Sequence, residues 1–246
     1  MHWARRRPAN ERLIVRKSYT KTIVCFANSR KPSGRCIAGR EVTGKRFGDW
    51  VRPVSGRLTR EISLEERQYK DGGEPNLLDI IAIEMKGREP RQHQQENHLV
   101  DTDWFWVRKG KMGWPDIQEG VEDPRGPLWL NGYSSSYGLN DRVPVSSADQ
   151  FTRSLYLIRP TQLNMVVGLE GGGYYPTRRR VRAHFNLFRS SYVFVVTDPQ
   201  IESDFFAKDN GKYPIAEAIL CVSLTESCGE YAYKLVAAVI TPKHTH

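Results

Sequence analysis

Three groups of residues in this chain have the types and spacing for chemistry, and two of them are built from cations. In the run 26–40, F-A-N-S-R-K-P-S-G-R-C-I-A-G-R, an apolar segment leads into a loop with two glycines, small hydroxyl residues and the cations Arg30, Lys31, Arg35 and Arg40. Backbone N–H groups freed by glycine, and the forked donors of arginine, are the groups that converge on a phosphate. The nucleotide-binding pattern G-x-x-x-x-G-K-[ST] is not met, because Gly39 is followed by Arg40-Glu41. A surface turn with solvated arginines would use the same residues. Immediately downstream, residues 47–57 alternate rings and cations on a strand and set Trp50 beside Arg52 and Arg57. Sequence-tolerant single-strand binders stack a ring on a base while a neighbouring guanidinium neutralises the backbone, although a large ring such as Trp50 serves a core equally well.

The second group is Arg178, Arg179, Arg180 and Arg182, reached through Gly171-Gly172-Gly173 and the pair Tyr174-Tyr175. No acid occurs between Glu170 and Asp198, so sequence neighbours do not neutralise these charges. Alternation on a strand places Arg180 and Arg182 on one face. A glycine-rich hairpin tip with cations and tyrosines at its base matches the mobile loops with which small barrels grip nucleic-acid strands, and it also matches a solvated hairpin. The third group, R-Q-H-Q-Q-E-N-H over residues 91–98, gathers His93, Glu96 and His98 for acid–base work. The H-x-x-x-x-H spacing suits a metal on neither helix nor strand, and a polar strand edge that satisfies nearby backbone is the competing reading.

These groups must be positioned mostly by strands. Short runs rich in β-branched and aromatic residues, bounded by Gly, Pro, Asn or Ser, occur at 22–27, 50–54, 78–85, 155–158, 163–167, 180–185, 192–196, 218–224 and 233–240. Helices are few and short: Ser63 with Glu66 three residues later starts one, and Asp198-Pro199 starts another that runs to Phe206. From 109 to 149 turn-forming residues crowd together, notably N-G-Y-S-S-S-Y-G over 131–138, which reads as a long linker or an ordered aromatic loop. A boundary near residue 145 then leaves each half with strands enough for a small Greek-key barrel. Arg52-Pro53 and Arg159-Pro160, each ending a strand, are a faint echo of duplication.

Composition narrows the class. Residues 1–60 hold sixteen Lys or Arg and three acids, a net +13, and the remainder carries −4 of the total +9. So lopsided a field selects a polyanion, with an acidic protein partner as a further possibility. No apolar run approaches the roughly 20 residues of a membrane span, and no secretory core follows the basic leader, which places the chain in the cytoplasm. Cys25, Cys36, Cys221 and Cys228 form no close pair and read as small hydrophobes. No nucleophile elbow, H-E-x-x-H or dinucleotide fingerprint occurs, so neither cofactor nor metal is expected.

The motifs I-V-C-F-A-N-S-R-K-x-S-G-R-C-I-A-G-R-E (23–41), G-D-W-V-R-P-V-S (48–55), L-L-D-I-I-A-I (77–83), H-Q-Q-E-N-H (93–98), L-C-V-S-L-T-E and Y-K-L-V-A-A-V-I together resemble the prokaryotic dual OB-containing domain family over nearly the whole chain after residue 20. The resemblance implies two oligonucleotide/oligosaccharide-binding barrels in tandem and carries over no catalytic residue. The expectation is a mainly β protein of two tandem small Greek-key, OB-like barrels with a few short helices: a basic extension 1–20, a first domain 21–145 and a second 146–246. Its expected activity is binding of single-stranded DNA or RNA through Arg30, Lys31, Arg35, Arg40, Trp50, Arg52, Arg57, Tyr175, Arg178, Arg179, Arg180 and Arg182. The alternatives are an enzyme on nucleotides or nucleic acid, with the 28–40 loop as phosphate clamp and His93, Glu96 or His98 as acid–base groups, and a protein-interaction module.

Overall fold

The alternating apolar runs become strands in the computed structural model, which describes residues 18–173 and 175–245; the leader with Arg5-Arg6-Arg7, and Tyr174, lie outside the described residues. By contact the chain divides into two units. The first holds the described residues up to Arg91, Gln95–Gly120 and Lys243 onward, and the second holds Gln92–Gln94 and Val121–Pro242.

The first unit runs β1 (Tyr19–Lys31), β2 (Gly34–Thr43), β3 (Arg46–Val54), α1 (Leu64–Arg67), β4 (Asp79–Arg88), β5 (Asn97–Val100), β6 (Val107–Lys111) and α2 (Trp114–Ile117). At 13 residues β1 is long enough for two neighbours: its distal part pairs antiparallel with β2, and its first six residues pair antiparallel with β4. Strand β3 follows β2 antiparallel, and β5 closes the gap by pairing parallel with β3 and antiparallel with β4. The ring β1-β2-β3-β5-β4-β1 is a closed five-stranded Greek-key barrel of OB connectivity, with β6 added outside on β4. Alternation sends Ile23, Cys25, Ile37, Val51, Ile81, Ile83, Met85 and Val100 into one core with Ile62, Tyr69 and Trp106, each large aliphatic contributing roughly 1.5–3 kcal/mol. The helix α1 starts as its sequence predicts, with Ser63 Oγ accepting from Glu66 N and the Glu66 carboxylate accepting from Ser63 N.

The second unit runs β7 (Arg142–Pro144), α3 (Val145–Ala148), β8 (Leu155–Ile158), β9 (Thr161–Gly172), β10 (Tyr175–Leu187), β11 (Ser190–Val196), α4 (Pro199–Phe206), β12 (Gly211–Pro214), β13 (Ile219–Leu224) and β14 (Tyr231–Ile240). Its connectivity repeats the first. The first strand is split at Arg159-Pro160, so that β8 pairs with β13 while β9 pairs with β10; β11 then pairs parallel with β14, and β14 antiparallel with β13. Proline cannot donate to a ladder, which makes residue 160 a natural place for one strand to leave one neighbour and join another. The helix α4 lies between the third and fourth strands and is capped by Asp198, whose carboxylate accepts from Gln200 N, Ile201 N and Val239 N.

Three expectations are corrected. Most of the presumed 28–40 loop is the hairpin β1–β2, whose turn is short, so Arg35 and Arg40 sit on a strand. The two Arg-Pro pairs are not equivalent, since one lies within β3 and the other at the β8/β9 break. The contact division falls between Gly120 and Val121 instead of near 145, because Leu128, Trp129 and Val143 are buried in the second core and β7 pairs with β14. Turn-rich composition conceals such apolar anchors. No helix among the described residues is long and apolar enough to cross a membrane.

Closure of the first barrel depends on a close approach at Gly39, where an added Cβ would lie 2.1 Å from Val24 O, beside the irregular register at Cys25/Ala27. Gly39→Ala is expected to destabilise the first barrel by about 1–3 kcal/mol, read as a lower urea midpoint. An unchanged midpoint would mean that β1 and β2 separate there at no cost.

Candidate nucleic-acid interface

In both barrels the hairpin between the first and second strands carries the cations. In the first, Arg30 is directly opposite Arg35 and Lys31 opposite Gly34, so two guanidinium side chains leave the same face of the sheet. Like charges opposed across strands repel, so this face of the hairpin is strongly cationic. The turn itself is answered from within: Ser33 N donates to Glu61 Oε1 at 3.0 Å, and the Ser33 hydroxyl donates to the same oxygen. Arg35 exchanges backbone hydrogen bonds of 2.9 Å with Ile62 in both directions. The buried carboxylate of Glu61 thus occupies the backbone donor that was expected to cradle phosphate, and nothing in the sequence singles it out. Arg57 lies alongside, donating to Glu61 O at 2.6 Å and 3.5 Å from Glu66.

The remaining first-barrel candidates are tied down. Arg52 is buried, with Nε and Nη2 on Glu96 Oε1 at 3.2 and 3.0 Å and Nη1 on Cys36 Sγ at 3.1 Å. A charge so placed is held for the fold, since desolvating it is tolerable only with its partners present. Arg40 donates to Gly48 O and Gly120 O at 2.9 and 3.1 Å and stands over the Phe47 ring. Trp50 is 7% exposed and meets Phe26 edge-on at 6.1 Å, so its ring is closed to a base.

On the second hairpin the four arginines separate into different roles. Arg179 donates to Phe206 O at 2.7 Å, to Lys208 O and to Asn210 Oδ1 at 3.0 Å, satisfying carbonyls at the end of α4. Arg180 and Arg182 share the outward face, as their spacing requires, but Arg182 is engaged by Glu170 at 2.5 and 3.0 Å and lies 3.7 Å from Asp141. Arg178 is exposed, and Tyr175 is 77% exposed. Lys31, Arg35, Arg178 and Arg180 form no side-chain ion pair among the described residues.

The three acid–base candidates each have a different partner. His93 belongs to the second unit, where its Nε2 lies 2.8 Å from Thr225 O. In the first, Glu96 is held by Arg52, and His98 Nδ1 and the Tyr19 hydroxyl share a hydrogen bond of 2.7 Å. Sequence proximity misleads here because the chain enters the second unit at Gln92–Gln94 and returns to the first at Gln95, so His93 finds its partner in one unit and Glu96 and His98 find theirs in the other. No cluster of His, Cys, Asp and Glu among the described residues is arranged to hold a metal ion, and all four cysteines are free thiols.

Burial, helped by Lys21 and Arg88, pulls His98 down to about 4. A histidine held neutral in the fold while the unfolded chain protonates near 6.5 gives stability that is complete above about pH 6.5 and lost as pH falls toward 4. Melting curves at pH 7.5 and 5 are expected to show a smaller acid-induced drop in Tm for His98→Gln than for the unaltered chain. Equal drops would mean that His98 protonates freely in the fold.

Neither the curated proteins nor the solved structures compared with this chain gave a match. A family model does: the one described as the dual OB-containing domain matches residues 21–239. Two units with the same OB connectivity, each with its own core, are what that description requires. The chain belongs to the dual OB-containing domain family.

Proposed function

We propose that this protein binds single-stranded nucleic acid through the hairpin between the first and second strands of each barrel. The observation that carries this reading is that the same hairpin in both units presents cations without side-chain ion pairs among the described residues, Lys31 and Arg35 in one and Arg178 and Arg180 in the other. Arg30 and Tyr175 flank them. Barrels of this connectivity take up oligonucleotides on the face of their second and third strands and the loop between the first and second. Affinity in such a site comes mainly from phosphate neutralisation, and preference for single strands from rings that accept unstacked bases. A duplex reader would instead present a helix or ribbon to the major groove, and the eight-residue α4 is too thoroughly engaged with its barrel for that role.

Binding to labelled single-stranded DNA and RNA is expected to weaken as salt rises, by a log–log slope of about 0.7 for each phosphate neutralised. Lys31→Ala with Arg35→Ala, and separately Arg178→Ala with Arg180→Ala, are expected to flatten that slope by up to about 1.4 while leaving Tm nearly unchanged, because exposed or half-buried cations that form no side-chain ion pair among the described residues contribute little to folding. Absence of binding to either polymer at low salt, or a slope indifferent to all four substitutions, would overturn the proposal.

A further inference from the structure

The segment 131–141, N-G-Y-S-S-S-Y-G-L-N-D, belongs to neither barrel's ring of strands, yet it is held by hydrogen bonds both within itself and to its barrel. One buried residue clamps both of its ends: Lys234, 1% exposed on β14, donates its Nζ to Leu130 O and its backbone N to Asp141 O. Within the loop, the Asp141 carboxylate accepts from Ser135 N and Ser135 Oγ, Asn140 Oδ1 accepts from Gly132 N, and Ser134 Oγ accepts from Asn140 N. Gly138 has no room for a side chain, since its Cβ would fall 1.8 Å from the Asp141 carboxylate. Closed ends and self-contained packing define an Ω-loop, a form that recurs at functional surfaces.

The loop also has a fixed address. Leu139 exchanges backbone hydrogen bonds with Val193 of β11, the third strand of the barrel, and Asn140 Nδ2 donates to Ser191 O. At the other side the Tyr137 hydroxyl donates to Gly171 O and accepts from Gly171 N, at 3.2 and 3.0 Å, so it holds the tip of the cationic β9–β10 hairpin. Tyr137 nevertheless leaves 47% of its surface in solvent and Tyr133 leaves 40%. Tyr133 leans on Tyr231 at 6.5 Å, whose ring carries the Arg142 guanidinium at 4.1 Å. Two large rings exposed on a rigid loop do little for the core, but their ordering entropy is already spent before any ligand arrives.

From this we infer that the 131–141 loop is a base-stacking wall of the second barrel's site, with Tyr133 and Tyr137 as the rings that accept unstacked bases of a single strand. The inference rests on the nucleic-acid reading above and adds the residues that would make the ligand a nucleic acid as opposed to any polyanion. Arg178 and Arg180 lie on the hairpin that Tyr137 holds, so phosphate neutralisation and stacking are offered by adjoining elements. Glu170 and Asp141 confine Arg182 to the fold, which keeps the outer cations as the phosphate contacts.

The test uses the full chain and two probes, a single-stranded oligonucleotide and inorganic polyphosphate, which has charge but no bases. Tyr133→Ala with Tyr137→Ala is expected to weaken oligonucleotide binding by roughly five- to hundredfold, with the salt slope kept and polyphosphate binding, which loses only the Tyr137 anchor of the hairpin tip, reduced far less, because stacking is worth about 1–3 kcal/mol per base. Tyr137→Phe, which keeps the ring, is expected to retain most of the affinity. Equal loss for both probes would show that the tyrosines only support the hairpin, and an oligonucleotide affinity untouched by the substitutions would overturn the stacking wall while leaving the nucleic-acid reading intact. Failure of the unaltered chain to bind any oligonucleotide is the separate outcome that removes that reading. Should the double variant melt at a lower temperature, photo-crosslinking of the unaltered chain to an oligonucleotide bearing 5-iodouracil decides the matter. Crosslinks at Tyr133 or Tyr137 support the inference, and crosslinks confined to other residues overturn it.

Discussion

Everything in this protein depends on how a first strand closes a ring. A five-stranded sheet closes only if its two edge strands also pair with each other, and strand β1 does so by giving its early residues to β4 and its later ones to β2. The cost appears where the strand changes partner. In the first barrel the strands approach so closely at Gly39 that no side chain fits, and in the second the strand is broken outright at Pro160. Closure also removes the exposed edges that would otherwise invite a further strand to pair.

The same constraint creates the candidate interface. Because the first strand serves two neighbours in succession, it must be long, and its far end projects with the second strand as a hairpin. Residues at such an end have few apolar neighbours, so cations are tolerated there, and they occur in both units. Other cations have the opposite fate. Arg52, Arg179 and Arg182 each face carboxylates or carbonyls, and for the buried Arg52 such partners are what make a guanidinium out of water tolerable. A basic segment therefore separates into structural and available cations according to which side chains meet an acceptor from elsewhere in the fold.

Preorganisation sets the character of the second hairpin. Its tip contains three successive glycines with positive φ, which alone would leave it loose. The Tyr137 hydroxyl fixes that tip to a loop which is itself held at both ends by Lys234. In the first barrel Glu61 has the comparable task, drawing the turn at Ser33 down with a carboxylate. Each barrel thus spends buried polar groups on positioning its cationic hairpin.

The amino-acid sequence by itself determined most of the apolar strands, though not β2 or β5, together with the two helix starts at Ser63 and Asp198, the two-barrel architecture and the location of the charge. These follow from local rules: alternation of apolar residues, side-chain caps and the count of cations along the chain. Only the tertiary structure decided which cations are available and which rings are open, because those depend on partners far away in the chain: Glu96 for Arg52, Phe26 for Trp50, the end of α4 for Arg179. The same holds for the division at Gly120/Val121 and the Ω-loop. Leu128 and Trp129 look like any residues of a turn-rich stretch until a core 60 residues on receives them, and no local pattern predicts that Lys234 will close a loop ending at Asp141. Local preference sets the form of each segment, whereas burial and pairing across long separations decide which of its side chains remain for a ligand.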